Sequence, residues 1–210
     1  MTAEVQSRLY ISAASGALEV LAAALDAANA ATLLVRQPAD GKLDAAAARP
    51  LVEMAQKLGI AVLIEADASL ARALRADGVH LPWSKHLMEQ YAEARDILGT
   101  RYIVGVDVGR SRHEAMGLAE AGADYIGFGI PPHVEDRDTA RARRRELVAW
   151  WSEIFEVPCV ALDVETVEAA IELAGDGADF IGVSSDVATA EQFADLVRAI
   201  DEAAQQKAFA

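Results

Sequence analysis

The sequence predicts a single domain, residues 1–210, folded as a (β/α)8 barrel, the TIM-barrel fold of the α/β class. Short apolar runs alternate with longer helical patterns along the 210 residues, a length that suits one domain. The short runs are almost continuously apolar, as in parallel strands that helices cover on both faces. Eight such units in succession favour a closed barrel over its alternative, a doubly wound open sheet.

The apolar runs define the predicted strands, and helix signals separate them. The strands are residues 8–13, 31–37, 61–66, 78–82, 102–108, 125–130, 159–164 and 180–185. An alanine-rich segment around 16–30 predicts the first helix, and Pro50 suits the first turn of a helix that runs to Gly59. Two capping boxes open later helices, Ser111 to Glu114 (a helix that Gly122 ends) and Thr189 to Gln192.

An aspartate precedes the fourth, sixth and eighth strands, in the related segments ADGVHL, GADYIGFG and GADFIGVS. These residues, Asp77, Asp124 and Asp179, fall at the N-terminal ends of the strands. That face of a barrel is opposite the face that holds the active site. We therefore expect them to bond backbone N–H groups in the turns and to have a structural role.

The composition excludes several classes of partner. A formal net charge of −14 repels nucleic acid and anionic membranes, and no apolar run is long enough to span a bilayer. The single cysteine, Cys159, excludes an internal disulfide framework and is expected to fill the core. With no secretory signal, a cytoplasmic protein is expected. Five arginines form a local basic segment, which is either a solvated face, a subunit contact or a phosphate site: Arg137, Arg141, Arg143, Arg144 and Arg145.

Polar residues follow the predicted strands at their C-terminal ends, where the site of such a barrel forms. They include Arg36, Glu65, Asp67, His80, Trp83, Asp107, Arg137, Asp163 and Ser185. His80 lies inside an apolar strand and is either a hydrogen-bonded core residue or a catalytic base. Trp83 either stacks on a planar ligand or plugs the barrel. No nucleophile lies beside a base in the pattern, so no catalytic residue is assigned.

The order of these segments resembles that of the thiamine phosphate synthase family, which includes related thiazole tautomerases. The resemblance spans about residues 8 to 200 and is clearest in LLVRQ, RADGVHL, IVGVDV, EAGADYIGFG, VPCVALD and GADFIGVSS. It implies a TIM barrel that joins a pyrimidine diphosphate to a thiazole phosphate, with Mg²⁺ holding the diphosphate. It also implies small-molecule substrates, and it leaves a homo-oligomer open.

Several positions depart from the pattern that the resemblance implies. Arg36 matches the strand-two arginine, while Leu34 and Pro38 stand at its glutamine and lysine positions. Glu65 and Ala66 stand where the family has Asn-Asp, with the aspartate on the metal. Lys85 falls near the position of the second metal-binding aspartate. The position of the tautomerase histidine is occupied by Gly109. His113 is close to it in sequence, but we expect His113 to be a surface residue.

Two later positions, like Glu65, carry an acidic residue where the family pattern has an uncharged one. Asp107 replaces a strand-five serine, and Asp163-Val164 replaces a glycine pair that approaches phosphate. Val134, Asp136 and Arg137 stand for the Thr-x-Thr-Lys segment that grips phosphate. Ser185 alone keeps its place in the strand-eight phosphate site.

Three acidic side chains should therefore surround the barrel mouth: Glu65, Asp107 and Asp163. Their negative charges disfavour the binding of a diphosphate. They could bind a divalent metal, with Glu65 and Asp67 as ligands and His133 nearby, or an amine, or they could pair with Arg36. Three functions remain open. The chain is a substituted synthase-like barrel that binds a small heterocyclic or phosphorylated metabolite, a non-catalytic binding or scaffold barrel, or an active synthase in which Arg137 replaces the lysine and Glu65 with Asp67 recruits Mg²⁺.

Overall fold

Eight parallel strands form a closed barrel in chain order, with the first strand paired to the last. The computed structural model describes residues 7–14, 21–22, 25, 30–38, 41–131, 133–185 and 190–207. The strands are β1 Arg8–Ala14, β2 Ala30–Arg36, β3 Ala61–Glu65, β4 Gly78–Leu81, β5 Ile103–Asp107, β6 Tyr125–Phe128, β7 Cys159–Ala161 and β8 Phe180–Ser184. The predicted barrel is confirmed, and the open sheet is excluded.

Strands β6 and β7 end earlier than the sequence predicts. β7 stops at Ala161, and two residues later Asp163 has a left-handed backbone with φ +57°. β6 stops at Phe128, and the N–H groups of Gly129 and Ile130 then donate to aspartate side chains. The chain therefore leaves both strands through turns that side-chain carboxylates hold.

The described residues contain seven α-helices around the barrel. They are α1 Ala45–Lys57, α2 Ala68–Leu74, α3 Leu87–Leu98, α4 Arg112–Glu120, α5 Arg137–Ile154, α6 Val167–Gly175 and α7 Ala190–Lys207. The Ser111 hydroxyl accepts a hydrogen bond from the Glu114 N–H at 3.2 Å, so the predicted cap of α4 is confirmed. The predicted helix around 16–30 falls largely outside the described residues, as does the capping box at Thr189.

The predicted position of Pro50 in a first helical turn is wrong. Helix α1 begins one turn earlier, because the Asp44 side chain caps it by accepting from the Ala47 N–H at 3.3 Å. Pro50 thus lies inside α1, which ends at Lys57, shortly before Gly59. An aspartate N-cap stabilises a helix start and here outweighs the preference of proline for that place.

The three repeated aspartates act at the N-terminal end of the barrel, as expected. Asp77, Asp124 and Asp179 accept hydrogen bonds from the backbone N–H groups of Val62, Val104 and Cys159, at 2.7, 2.8 and 2.8 Å. The donors belong to the preceding strands β3, β5 and β7 rather than to the turns. Each aspartate therefore ties the start of its own strand to the start of its neighbour.

The basic segment is a paired helix face with one buried member. Three arginines on α5 form ion pairs on the surface: Arg141 with Glu165 and Asp138, Arg143 with Glu146, and Arg145 with Glu172 and Asp176. Arg144 instead points inward and is buried. The same helix packs Trp151 fully into the core, against Phe128 and Phe155.

Cys159 is a free, buried thiol whose burial raises its pKa to about 12, in keeping with a core role. None of the described helices combines the length and apolarity that crossing a membrane requires.

The aspartate ties predict a large stability loss on truncation. Asp179→Ala leaves the Cys159 N–H without its acceptor, which should lower the free energy of unfolding by about 2 kcal/mol. Urea denaturation measures the change, and Asp179→Asn should lose less because an amide oxygen remains. Asp96→Ala, at an exposed position of α3, is the control and should change stability by less than about 0.5 kcal/mol. Equal effects of the two alanine variants would contradict the structural role.

Candidate functional site

A cavity of about 360 Å³ opens at the C-terminal ends of the strands. Four of the residues predicted for the site line it together: Arg36, Glu65, Asp107 and Asp163. His80 and Trp83 line it as well, as do Tyr10 and Ser184. The other three predicted residues, Asp67, Arg137 and Ser185, are absent from its lining. The structure therefore brings together the three acidic residues that the sequence placed at one mouth.

The three absent residues have other positions. Asp67 caps α2 by accepting from the Leu70 N–H at 2.8 Å and lines a separate cavity of about 260 Å³ beside α2 and α3. Arg137 begins α5, with its guanidinium 4.0 Å from the Glu165 carboxylate. Ser185 is buried at the end of β8.

Glu65 is held at the mouth by its neighbour across the β2 exit. Its Oε2 atom accepts from the Gln37 N–H at 2.7 Å, and the Gln37 side-chain amide donates to the Glu65 carbonyl at 2.9 Å. Burial raises the pKa of Glu65, and the Gln37 hydrogen bond and the Arg36 charge oppose this rise. The Arg36 charge thus partly offsets the effect of burial on Glu65.

Asp107 is fixed at the end of β5 by two glycines. Its Oδ1 atom accepts from the N–H groups of Gly109 and Gly129, at 2.8 and 3.0 Å. A Cβ at position 129 would lie 2.6 Å from Oδ2, so a side chain there would displace the carboxylate. Burial raises the pKa of Asp107 to about 7, and the nearby Asp163 charge adds to the rise, while the two N–H groups oppose it.

Asp163 completes the acidic mouth from the exit of β7. Its Oδ2 atom accepts from the Ile130 N–H at 3.0 Å, which connects the β7 exit to the β6 exit. Its φ of +57° lies in the left-handed region that favours glycine. An aspartate thus stands in the backbone conformation suited to the glycine that the family resemblance implies here.

A buried hydrogen-bonded chain forms the floor of the cavity. The Tyr125 hydroxyl lies 2.7 Å from His80 Nδ1 and 3.0 Å from the Tyr10 hydroxyl. Burial lowers the pKa of His80 to about 4, so the imidazole is neutral near pH 7. If Tyr10 donates to Tyr125 and Tyr125 donates to Nδ1, both hydroxyl protons are used, and the remaining ring proton is on Nε2. His80 is therefore hydrogen-bonded in the core, one of its two expected roles.

The sequence pattern revealed neither Tyr10, which lines the cavity, nor Tyr125, whose hydroxyl lies within hydrogen-bonding distance of Tyr10 and His80. Both lie within strands of apolar residues, and Tyr125 fits inside the barrel because the facing residue on β5 is Gly105. A Cβ at Gly105 would fall 1.9 Å from the Tyr125 ring. A hydroxyl in a buried strand opposite a glycine is the signal that could have found them. At the rim, Trp83 packs beside His133 with ring centroids 5.3 Å apart.

The fold and the cavity define a class of protein: a (β/α)8 barrel with a cavity at the C-terminal ends of its strands, where barrels of this kind hold their sites. A family model described as thiamine monophosphate synthase matches residues 9–187. Thiamine-phosphate synthases of Hyphomonas neptunium and Rhodospirillum centenum are 38% and 39% identical to the chain, over 78% and 80% of it and 75% and 80% of their own lengths. The chain belongs to the thiamine monophosphate synthase family.

A solved structure shows the same fold at lower identity. The thiamine phosphate pyrophosphorylase of Pyrococcus furiosus is 21% identical, with a TM-score of 0.74 over 97% of this chain and 98% of that one. The resemblance read from the strand-end motifs is thus confirmed at the level of family and fold.

The tyrosine–histidine chain predicts a stability cost when its central hydroxyl is removed. Tyr125→Phe leaves the Tyr10 hydroxyl and His80 Nδ1 without their shared partner inside the barrel. We expect a loss of about 2 kcal/mol in the free energy of unfolding, measured in urea. Tyr102→Phe is the matched control, because no hydrogen bond of the described residues involves the Tyr102 hydroxyl. The interpretation fails if both variants lose the same amount.

The raised pKa of Asp107 predicts a pH-dependent stability. Between the ordinary pKa of 3.8 and the folded value of about 7, the folded chain keeps a proton that the unfolded chain releases. Stability conferred by Asp107 is therefore lost as the pH rises through this window. Relative to Asp107→Asn, the wild type should lose roughly 3 kcal/mol across it.

Urea denaturation at a series of pH values measures this difference. The exposed Asp96→Asn keeps Asp107, so it is the control and should follow the pH dependence of the wild type. A parallel pH dependence of wild type and Asp107→Asn would show that Asp107 ionises normally.

Proposed function

We propose that this member of the family binds a small heterocyclic metabolite in the strand-end cavity, through a mouth that does not accept a diphosphate. One observation carries the proposal. Backbone N–H groups at the mouth already donate to internal carboxylates: Gly109 and Gly129 to Asp107, and Ile130 to Asp163. Phosphate sites on barrels and helix starts use such N–H groups as their donors.

Electrostatics support the same conclusion. A diphosphate carries two or more negative charges, and it would lie among Glu65, Asp163 and the partly ionised Asp107 in a pocket partly closed to water. Repulsion between like charges is strong in such a medium. The side chain of Asp163 also blocks the close backbone approach that a glycine would allow. A neutral or cationic ring avoids both costs, and the neutral His80 and the indole of Trp83 offer it a hydrogen bond and a stacking surface.

The residues at the implied metal positions do not fit Mg²⁺. Ala66 offers no side-chain ligand atom, Glu65 accepts from the Gln37 N–H, and Asp67 caps α2 outside the cavity. Within the described parts of the chain, no three side chains of His, Cys, Asp or Glu are grouped so as to hold a metal ion. Mg²⁺ prefers octahedral oxygen ligands, usually including one or two carboxylates. We therefore assign no step to a metal.

An active thiamine-phosphate synthase is the second candidate. The relatives named for that activity are 38% and 39% identical to this chain. Arg137, the residue in place of the family lysine, donates to the Ile130 carbonyl at 3.5 Å and so lies beside the β6 exit. In this alternative its guanidinium contacts phosphate from outside the acidic mouth.

An assay with both thiamine precursors, the pyrimidine diphosphate and the thiazole phosphate, and Mg²⁺ separates the two candidates. We expect no product above the enzyme-free blank, and robust turnover would overturn the proposal in favour of the synthase. Thermal shifts with phosphate-free pyrimidines and thiazoles test binding itself, because a ligand specific for the folded state raises Tm. If none of these compounds raises Tm, the mouth is idle, and a non-catalytic scaffold barrel is the better description.

A further inference from the structure

Arg144 reaches from α5 to the exit of β7, beneath the acidic mouth. Its side chain is 2% exposed, and its Nη1 group donates to the carbonyls of Leu162 and, at 3.1 Å, Asp163. The other arginines of the segment Arg141–Arg145 pair with surface carboxylates instead. The Arg144 guanidinium therefore donates to two backbone carbonyl oxygens rather than to a surface carboxylate.

The two carbonyls flank the one strained residue of this turn. The Leu162 carbonyl precedes Asp163 and the Asp163 carbonyl follows it, so a cation bonded to both restricts rotation on either side. Asp163 has φ +57°, a left-handed conformation that disfavours residues with a Cβ, although aspartate adopts it more often than most. Hydrogen bonds to the carbonyls on both sides of Asp163 favour this conformation over others that the residue could adopt.

A buried guanidinium is costly, which argues against Arg144 as simple core filling. Burial lowers its pKa, and its Nε atom has no hydrogen-bond partner in the described structure. A methionine or leucine would fill the same space without that cost. What the arginine adds, and an apolar residue cannot, is donation to the Leu162 and Asp163 carbonyls.

We infer that Arg144 is a positioning residue that holds Asp163 in its left-handed turn, so that the Asp163 carboxylate stays on the Ile130 N–H as a built-in anion. The inference rests on the proposed function, since it explains how the mouth is kept closed to ligand anions. Asp163 then determines specificity against phosphate, and Arg144 acts through it. Without either residue, the Ile130 N–H becomes available to an external anion.

The test compares Asp163→Gly, Arg144→Met and the double variant, each as the full chain. The first readout is the titration of the Asp107 carboxyl by ¹³C NMR. The Asp163 charge contributes to the raised pKa of Asp107, so Asp163→Gly should lower it. Loss of a nearby cation alone would raise the pKa of Asp107, but a released Asp163 should lower it. We therefore expect Arg144→Met to lower it in the wild-type background, and to cause no further lowering when Asp163 is already glycine.

The second readout is the binding of inorganic phosphate and of pyrophosphate, measured by calorimetry. We expect at least tenfold tighter binding in Asp163→Gly and Arg144→Met than in the wild type. Arg144→Lys, which can still donate to one of the carbonyls, should be intermediate, and it remains informative if Arg144→Met does not fold. Arg143→Met is the matched control from the same helix and should match the wild type in both readouts.

Two outcomes would overturn the inference: an unchanged or raised pKa of Asp107 in the Arg144 variants, or shifts in the double variant equal to the sum of the single ones. Failure of the proposed function is distinct, because it would appear as tight pyrophosphate binding by the wild type itself.

Discussion

Carboxylate side chains hold the backbone N–H groups at both ends of this barrel. At the N-terminal end, Asp77, Asp124 and Asp179 each accept from the start of a neighbouring strand. At the C-terminal end, Asp107 and Asp163 accept from the turns that leave β5 and β6. A closed barrel of eight strands leaves backbone N–H groups at both rims that need hydrogen-bond acceptors. The shape of the mouth depends on which groups serve as those acceptors.

Hydrogen bonds from backbone N–H groups to carboxylates have different consequences at the two ends of the barrel. At the N-terminal end the aspartates are near solvent and add stability. At the mouth, the carboxylates surround a cavity, where burial raises the pKa of Asp107 to about 7 and raises that of Glu65 as well. The mouth therefore combines internal satisfaction of its N–H groups with an electrostatic environment unfavourable to anions. A neutral floor of Tyr10, Tyr125 and His80 lies below it.

Family and site provide separate information about this chain. Membership in the thiamine monophosphate synthase family rests on the family model and on relatives up to 39% identical. In the fold of that family, the residues at the C-terminal ends of the strands line the site. In this chain those residues include Glu65, Asp107 and Asp163. The proposed loss of diphosphate binding follows from the contacts of these residues, and the family alone would have suggested the opposite.

The sequence by itself determined the barrel fold and the grouping of four residues at its mouth: Arg36, Glu65, Asp107 and Asp163. Strand periodicity and the rule that sites lie at strand C-termini are local or topological, so a linear pattern suffices for them. Only the tertiary structure decided what these side chains do. The bonds from Ile130 to Asp163 and from Arg144 to the β7 exit join residues far apart in the chain. The left-handed backbone of Asp163 and the hydroxyls of Tyr10 and Tyr125 acquire their roles from neighbours that only folding brings within hydrogen-bonding distance.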